Sequence, residues 1–134
     1  MKQHFVIDSS VFLSYAAYNK LYRLENAVEK YGLKVYINAT LLDELEKNLP
    51  KVLRSTNLTT PIAIDIIIAI STSVEIIPQF TLSPDPKDNF LFDLALQTNS
   101  EVIVTKEKAL LNFIESPVPI HDIKWFKETY PVDL

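Results

Sequence analysis

The stretch His4-Phe5-Val6-Ile7-Asp8 decides how this chain is read. Phe5-Val6-Ile7 suits a buried β-strand, where β-branched and aromatic side chains are enriched. The strand stops on a single carboxylate, Asp8, and Ser9-Ser10 opens a helical pattern that runs to Tyr18. In open α/β sheets ligands bind beyond the carboxyl ends of the strands. An acid at that place raises the question of which other groups reach the same edge.

Outward from this strand, the pattern predicts helices and short strands in alternation. Asn19–Lys30 reads as a second helix with Leu21, Leu24 and Val28 on one stripe. Gly32, the only glycine, sits where a helix ends in a left-handed cap. Leu33–Asn38 reads as strand two. Thr40, with Asp43 three residues on in capping-box spacing, opens the next helix, and Pro50 bends or ends it. Thr60-Pro61 is a helix start. The six isoleucines between 62 and 70 favour strand by propensity, yet the length and the proline favour a buried helix, which is the assignment adopted.

Further on, Val74–Ile77 reads as strand three and Gln79–Pro84 as a loop. Asp85-Pro86-Lys87-Asp88 opens a helix to Thr98 that is apolar on most sides. Glu101–Val104 reads as strand four, Glu107–Phe113 as a short helix, Val118–Ile120 as an edge strand and Asp122–Thr129 as a terminal helix. Strands alternating with helices imply a three-layer α/β/α sandwich around a mainly parallel sheet of four to five strands.

Composition bounds the function. A chain of 134 residues with 48% apolar residues is expected to form one domain. It has no cysteine, which excludes a disulfide framework, thiol catalysis and thiolate metal sites. The N-terminus carries no signal-peptide pattern. The most apolar stretch, Pro61–Ile70, is too short to span a bilayer and is broken by Asp65. A soluble cytoplasmic protein, without a membrane partner, is the expectation.

The net charge of −4 is uneven. Residues 1–54 hold eight Lys/Arg against six Asp/Glu, a net of +2, while residues 55–134 hold five against eleven, a net of −6. The acidic total argues mildly against sequence-independent nucleic-acid binding. Lys20, Arg23, Lys30, Lys34, Lys47, Lys51 and Arg54 form either a local basic face or scattered solubility charge, and the latter is favoured.

Four acids follow four successive strands: Asp8 after the first, Glu44 and Asp88 in the helices after the second and third, and Glu107 after the fourth. In a parallel sheet these positions crowd one edge. Clustered carboxylates repel unless a cation neutralises them, and all-oxygen ligands suit a hard ion, Mg²⁺ or Mn²⁺. Each acid also has a plainer explanation. Asp85 and Asp88 could cap their helix, Glu107 could favour its helix N-terminus, and Glu44 could be a solvated charge, with Glu46 nearer the apolar stripe. Asp8 is hardest to explain that way, since a buried acid is uncommon without a partner.

The sequence resembles the PIN-domain family, in particular its toxin components of toxin–antitoxin pairs. Val6-Ile-Asp8-Ser-Ser-Val resembles the family's opening strand with Asp-Thr-Asn. Leu41-Leu-Asp-Glu44-Leu-Glu resembles its Leu-x-Glu-Leu helix, and Asp85-Pro-Lys-Asp88 its Asp-Pro-x-Asp helix. Ile103-Val-Thr105-Lys-Glu107-Lys-Ala resembles its Val-Thr-Gly-Asp-Lys-Asp. Order and intervals fit across nearly the whole chain, implying a single PIN-like nuclease domain over 1–134.

The resemblance implies a metal-dependent endoribonuclease, the toxin of a toxin–antitoxin pair, with Asp8, Glu44 and Asp88 as core ligands of Mg²⁺ or Mn²⁺ and Glu107 beside them. Ser10 and Thr105 would position water or a phosphate oxygen, and cleavage would leave a 5′-phosphate. RNA is the implied substrate, an antitoxin protein the implied partner, and a homodimer is compatible with it. The family usually has Asp at Glu107, Asn at Ser10 and Asp at Ala109, which puts a second metal in question. Asp93 lies about 140° around the helix from Asp88 and is not automatically in the same site.

Three rivals remain at this point. A haloacid-dehalogenase-like phosphatase wants a second Asp where this chain has Ser10. A receiver domain wants paired acids after strand one and a phosphoacceptor Asp after strand three, where this chain has a lone Asp8 and Pro78. The third is a PIN fold that has lost activity and serves as a binding module. His4 reads as a core or edge histidine, His121 as a helix-start residue and Trp125 as packing. No motif of aromatics interleaved with basic residues, of the kind that stacks single strands, is visible.

Overall fold

The structure is a computed structural model, and it describes residues 3–132. Its strands are β1 (His4–Ile7), β2 (Lys34–Ile37), β3 (Ser71–Ser73), β4 (Val102–Val104) and β5 (Ile120–His121). They form one sheet in the order β3-β2-β1-β4-β5, with every neighbouring pair parallel. The helices are α1 (Ser9–Ala17), α2 (Leu21–Tyr31), α3 (Ala39–Val52), α4 (Thr60–Ala69), α5 (Asn89–Gln97), α6 (Lys108–Leu111) and α7 (Ile123–Thr129).

The topology sets the layers. From β1 the chain steps outward to β2 and then β3; from β3 it returns across β1 to β4. With right-handed crossovers, α1 to α4 lie on one face and α5 on the other. Accordingly α1 packs on α2 and α3, α4 packs on α2 and α3, and α5 spans β1, β2 and β4. The central strands are buried on both faces, so Phe5, Val6, Ile7, Val35, Ile37, Ile103 and Val104 are almost wholly withdrawn from solvent. The three-layer α/β/α reading of the sequence holds.

Several boundaries differ from expectation, each for a local reason. Strand three is Ser71–Ser73, not Val74–Ile77. This strand is a sheet edge, so it does not need apolar residues on both faces. Pairing ends at Val74, whose N–H donates to the Ile37 carbonyl at 2.9 Å, and the chain then leaves the sheet. The segment after it is pinned by one stripe of α5. Gln97 brackets the backbone of Ile77, Asp93 accepts from the N–H groups of Gln79 and Phe80, and Asn89 accepts from that of Ser83.

The cap of α3 is Asn38, whose Oδ1 accepts from the Leu41 N–H at 3.1 Å, rather than a Thr40–Asp43 box. Pro50 lies inside α3 without ending it. α2 begins at Leu21 because Asn19, at φ 57°, turns the chain between helices; asparagine tolerates this left-handed region. Gly32 takes the left-handed cap at φ 61° as expected. Asp85-Pro86-Lys87-Asp88 forms a single 3₁₀ turn, with α5 starting only at Asn89. α6 is shorter than Glu107–Phe113, and the last strand lies one or two residues later than Val118–Ile120. His121 therefore ends β5, stacked on Trp125 with ring centroids 4.1 Å apart, and Asp122 is the cap of α7. The isoleucine-rich run is helical, as the proline start predicted.

Candidate active site

The sheet reverses its winding between β1 and β4, and a cleft at the carboxyl ends of such a pair is the usual ligand position. Ile7 is registered with Val104, and the Asp8 N–H donates to the Val104 carbonyl at 2.9 Å. Asp8 and Thr105 therefore emerge side by side.

Asp8 is buried, and its Oδ2 accepts from the Ser10 hydroxyl at 2.7 Å and the Thr105 hydroxyl at 2.8 Å. Both hydroxyls are themselves fixed by backbone donors. The Lys106 N–H donates to Ser10 Oγ at 3.1 Å, and the Glu107 N–H to Thr105 Oγ1 at 3.0 Å. The four-residue run Val104–Glu107 thus orients the Asp8 carboxylate through two hydroxyl relays. Ser9, which the sequence marks only as a helix opener, donates to Glu44 Oε1 at 3.1 Å and aims that side chain from α3 toward β1.

Three acids occupy positions where capping is the plainer explanation. Asp8, Asp88 and Glu107 stand at the N-caps of α1, α5 and α6, yet none accepts a side-chain capping hydrogen bond. The cap-like bond at the 3₁₀ turn is made by Asp85, whose Oδ1 accepts from the Lys87 N–H at 3.0 Å.

The carboxylates sense one another instead. Burial, a hydrogen bond with Glu107 and the charges of Glu107, Asp8 and Asp85 push the Asp88 carboxyl up to about 8. Burial first, and then the charges of Asp8 and Glu107, raise Glu44, against the lowering effect of Ser9 and Lys47. All four acids foreseen for the edge are thereby brought within electrostatic reach. Among the described residues, no three His, Cys, Asp or Glu side chains form a group that could hold a metal ion as they stand. Asp8 and Asp88 are buried, Glu44 is half-buried and Glu107 is exposed, and an all-oxygen set of this kind fits the chemistry of a hard divalent cation.

Other marked residues lie elsewhere. Asp93 is buried, but its carboxylate is taken by the Gln79–Phe80 backbone, so it has a structural partner away from the cluster. His4 Nδ1 is 2.8 Å from the Tyr36 hydroxyl and is no part of the acidic edge. Trp125 is half-buried and packs edge-on against Phe5, as expected of a packing residue.

Acids at the carboxyl edge of a parallel α/β/α sandwich, where its winding reverses, mark the class of protein. Residues 4–109 match the PIN domain, and the chain belongs to the PIN-domain family, whose members are in general nucleases. No curated protein matches the sequence. Solved structures that share the fold include two from prokaryotes. The crystal structure of PAE2754 from Pyrobaculum aerophilum is 16% identical with a TM-score of 0.64, covering 97% of this chain and 98% of that one. That of VapBC2 from Rickettsia felis, bound to a DNA fragment from their promoter, is 15% identical with a TM-score of 0.58, covering 90% of this chain and 98% of that one. No helix among the described residues is long and apolar enough to cross a membrane.

Proposed function

We propose that this protein is a divalent-metal-dependent endoribonuclease and the toxin of a toxin–antitoxin pair. The observation that carries the reading is that Asp8, Asp88 and Glu107 occupy helix N-caps without capping, while Glu44 and Asp88 lie close enough to Asp8 and Glu107 for those charges to help raise them. Asp8, Glu44 and Asp88 would hold Mg²⁺ or Mn²⁺, with Glu107 beside them. When bound, such an ion activates water and stabilises charge on a phosphodiester.

The chain's own groups prepare the site. Ser10 and Thr105, expected to position water or a phosphate oxygen, are read here as orienting Asp8, since both hydroxyls donate to its Oδ2. Burial and the neighbouring Glu107 and Asp8 push the Asp88 carboxyl up to about 8, so it holds a proton at neutral pH that a bound cation would displace. Likeness to a VapBC2 structure supports an antitoxin partner.

Cleavage of a labelled RNA by purified protein in Mn²⁺, abolished by chelator and by Asp8→Asn, tests the reading. One observation favours a second reading, a non-cleaving PIN fold that binds without metal: among the described residues no three carboxylates are grouped as ligands. The two part on Mn²⁺-linked thermal stabilisation, which a metal site gives and a bare binding module does not.

A further inference from the structure

A cavity of about 250 Å³ lies where α1, α2 and α7 meet. Its wall carries Ser14, Tyr15, Tyr18, Lys20, Arg23 and Lys127, and no carboxylate among the described residues. Arg23 Nε is buried and has no hydrogen-bond partner among the described residues. A buried donor left unmade costs free energy that an incoming acceptor recovers. Lys127 Nζ leans on the Tyr15 ring, 5.6 Å from its centroid. Burial pushes the Tyr15 phenol up to about 12, so it adds no negative charge. Tyr18 is a large aromatic left 73% exposed.

The cavity is joined to the carboxylate edge by one helix face. Ser10, Ser14 and Tyr18 are four residues apart along α1 and its C-cap, hence neighbours on the same stripe. Ser14 lies about 6 Å of helix rise from Ser10, and Tyr18 about 12 Å. Lys106 bridges the two places: its N–H donates to Ser10 Oγ, and its Nζ donates to Ser14 Oγ at 3.4 Å. A phosphate chain along this face would pass from a centre that demands a cation to one that supplies fixed positive charge. The sequence hid this arrangement, because the cations and tyrosines are scattered from residue 15 to residue 127.

We propose that this cavity is a substrate subsite for single-stranded RNA, taking a backbone phosphate that flanks the scissile bond on Arg23, Lys20 and Lys127, with Tyr18 stacking on a neighbouring base. The identity of the strand rests on the ribonuclease reading; the anion chemistry does not.

The test titrates the full chain with fluorescein-labelled oligouridine in EDTA, so that binding is read apart from cleavage. Arg23→Gln weakens binding and lowers the slope of log affinity against log salt by about 0.7. Tyr18→Ala, at an exposed position that leaves folding intact, weakens binding about tenfold with the slope unchanged. Asp8→Asn loses cleavage in Mn²⁺ yet keeps binding. Wild-type affinity in both cavity variants overturns the subsite and leaves the nuclease reading standing. Binding that depends on Arg23 and Tyr18, in a protein that cleaves nothing in Mn²⁺, supports the subsite and removes the nuclease reading. Arg23-dependent binding of poly-glutamate without binding of oligouridine assigns the cavity to an acidic protein segment and overturns the proposal.

Discussion

The Thr105 hydroxyl donates to Asp8 Oδ2 at 2.8 Å, tying the ends of β1 and β4 across 97 positions of sequence. Thr105 is fully buried, and its oxygen also accepts from the Glu107 N–H. Thr105→Val keeps the shape, leaves that N–H without its acceptor and takes one of two donors from Asp8. We expect a loss of about 1–3 kcal/mol and weaker Mn²⁺ binding, with Thr105→Ser recovering most of both. Denaturant melts and calorimetry check this. Equal Mn²⁺ affinity in the Val variant would reduce Thr105 to packing.

Asp8 separates charge from shape. Asp8→Asn keeps an oxygen for the Ser10 and Thr105 hydroxyls while deleting a charge that, after burial, helps raise Glu44 and Asp88. In chelator its melting temperature should equal or exceed that of wild type, while cleavage disappears. Asp8→Ala removes the acceptor as well and should cost about 1–3 kcal/mol. A large drop in stability for Asn would mean that the charge itself supports the fold.

The raised carboxyls fix the sign of the pH response. Asp88 titrates near 3.8 when unperturbed and at about 8 in the folded chain. Between those values the folded chain holds a proton that the unfolded chain has released. Metal-free stability therefore falls as pH rises through that window, and raised Glu44 adds to the same trend. Apparent Mn²⁺ affinity should climb over the same range, because bound metal displaces the proton. Melts in EDTA from pH 5 to pH 8 read the slope, and Asp88→Asn should flatten it. A melting temperature that increases across this range contradicts the assignment.

How much of this the sequence disclosed depends on the range of the interaction. Strand-end acids follow from local pattern, so Asp8, Glu44, Asp88 and Glu107 were all visible as candidates for one edge. The edge strand was not, because Ser71-Thr72-Ser73 has no apolar alternation; its place is set by pairing with β2 and by the α5 side chains that hold Ile77–Phe80. Asp93 shows the same limit. Its helical phase argued only that it need not join Asp88, and its actual partners are backbone N–H groups thirteen and fourteen residues upstream. Capping misled at Thr40, where Asn38 was closer to the strand end and already suited to the role.

Glu107 is the departure from the family pattern with the clearest consequence. It is exposed, stands at the N-cap of α6 without capping it, and lies close enough to Asp88 to help raise that carboxyl. If it is a ligand, Glu107→Asp restores the usual residue and tightens Mn²⁺ binding or speeds cleavage, unless the longer arm of Glu compensates a backbone set further back. Glu107→Gln resolves that ambiguity, because it keeps the length and deletes the charge. The Gln variant should bind Mn²⁺ more weakly, and the metal-free protein should lose part of its pH slope, since a charge that raises Asp88 is gone. The two readouts separate the roles. A flattened slope with wild-type Mn²⁺ affinity and stoichiometry in both Asp and Gln variants leaves Glu107 as a proton partner of Asp88 alone. The metal centre is then a three-carboxylate one of Asp8, Glu44 and Asp88.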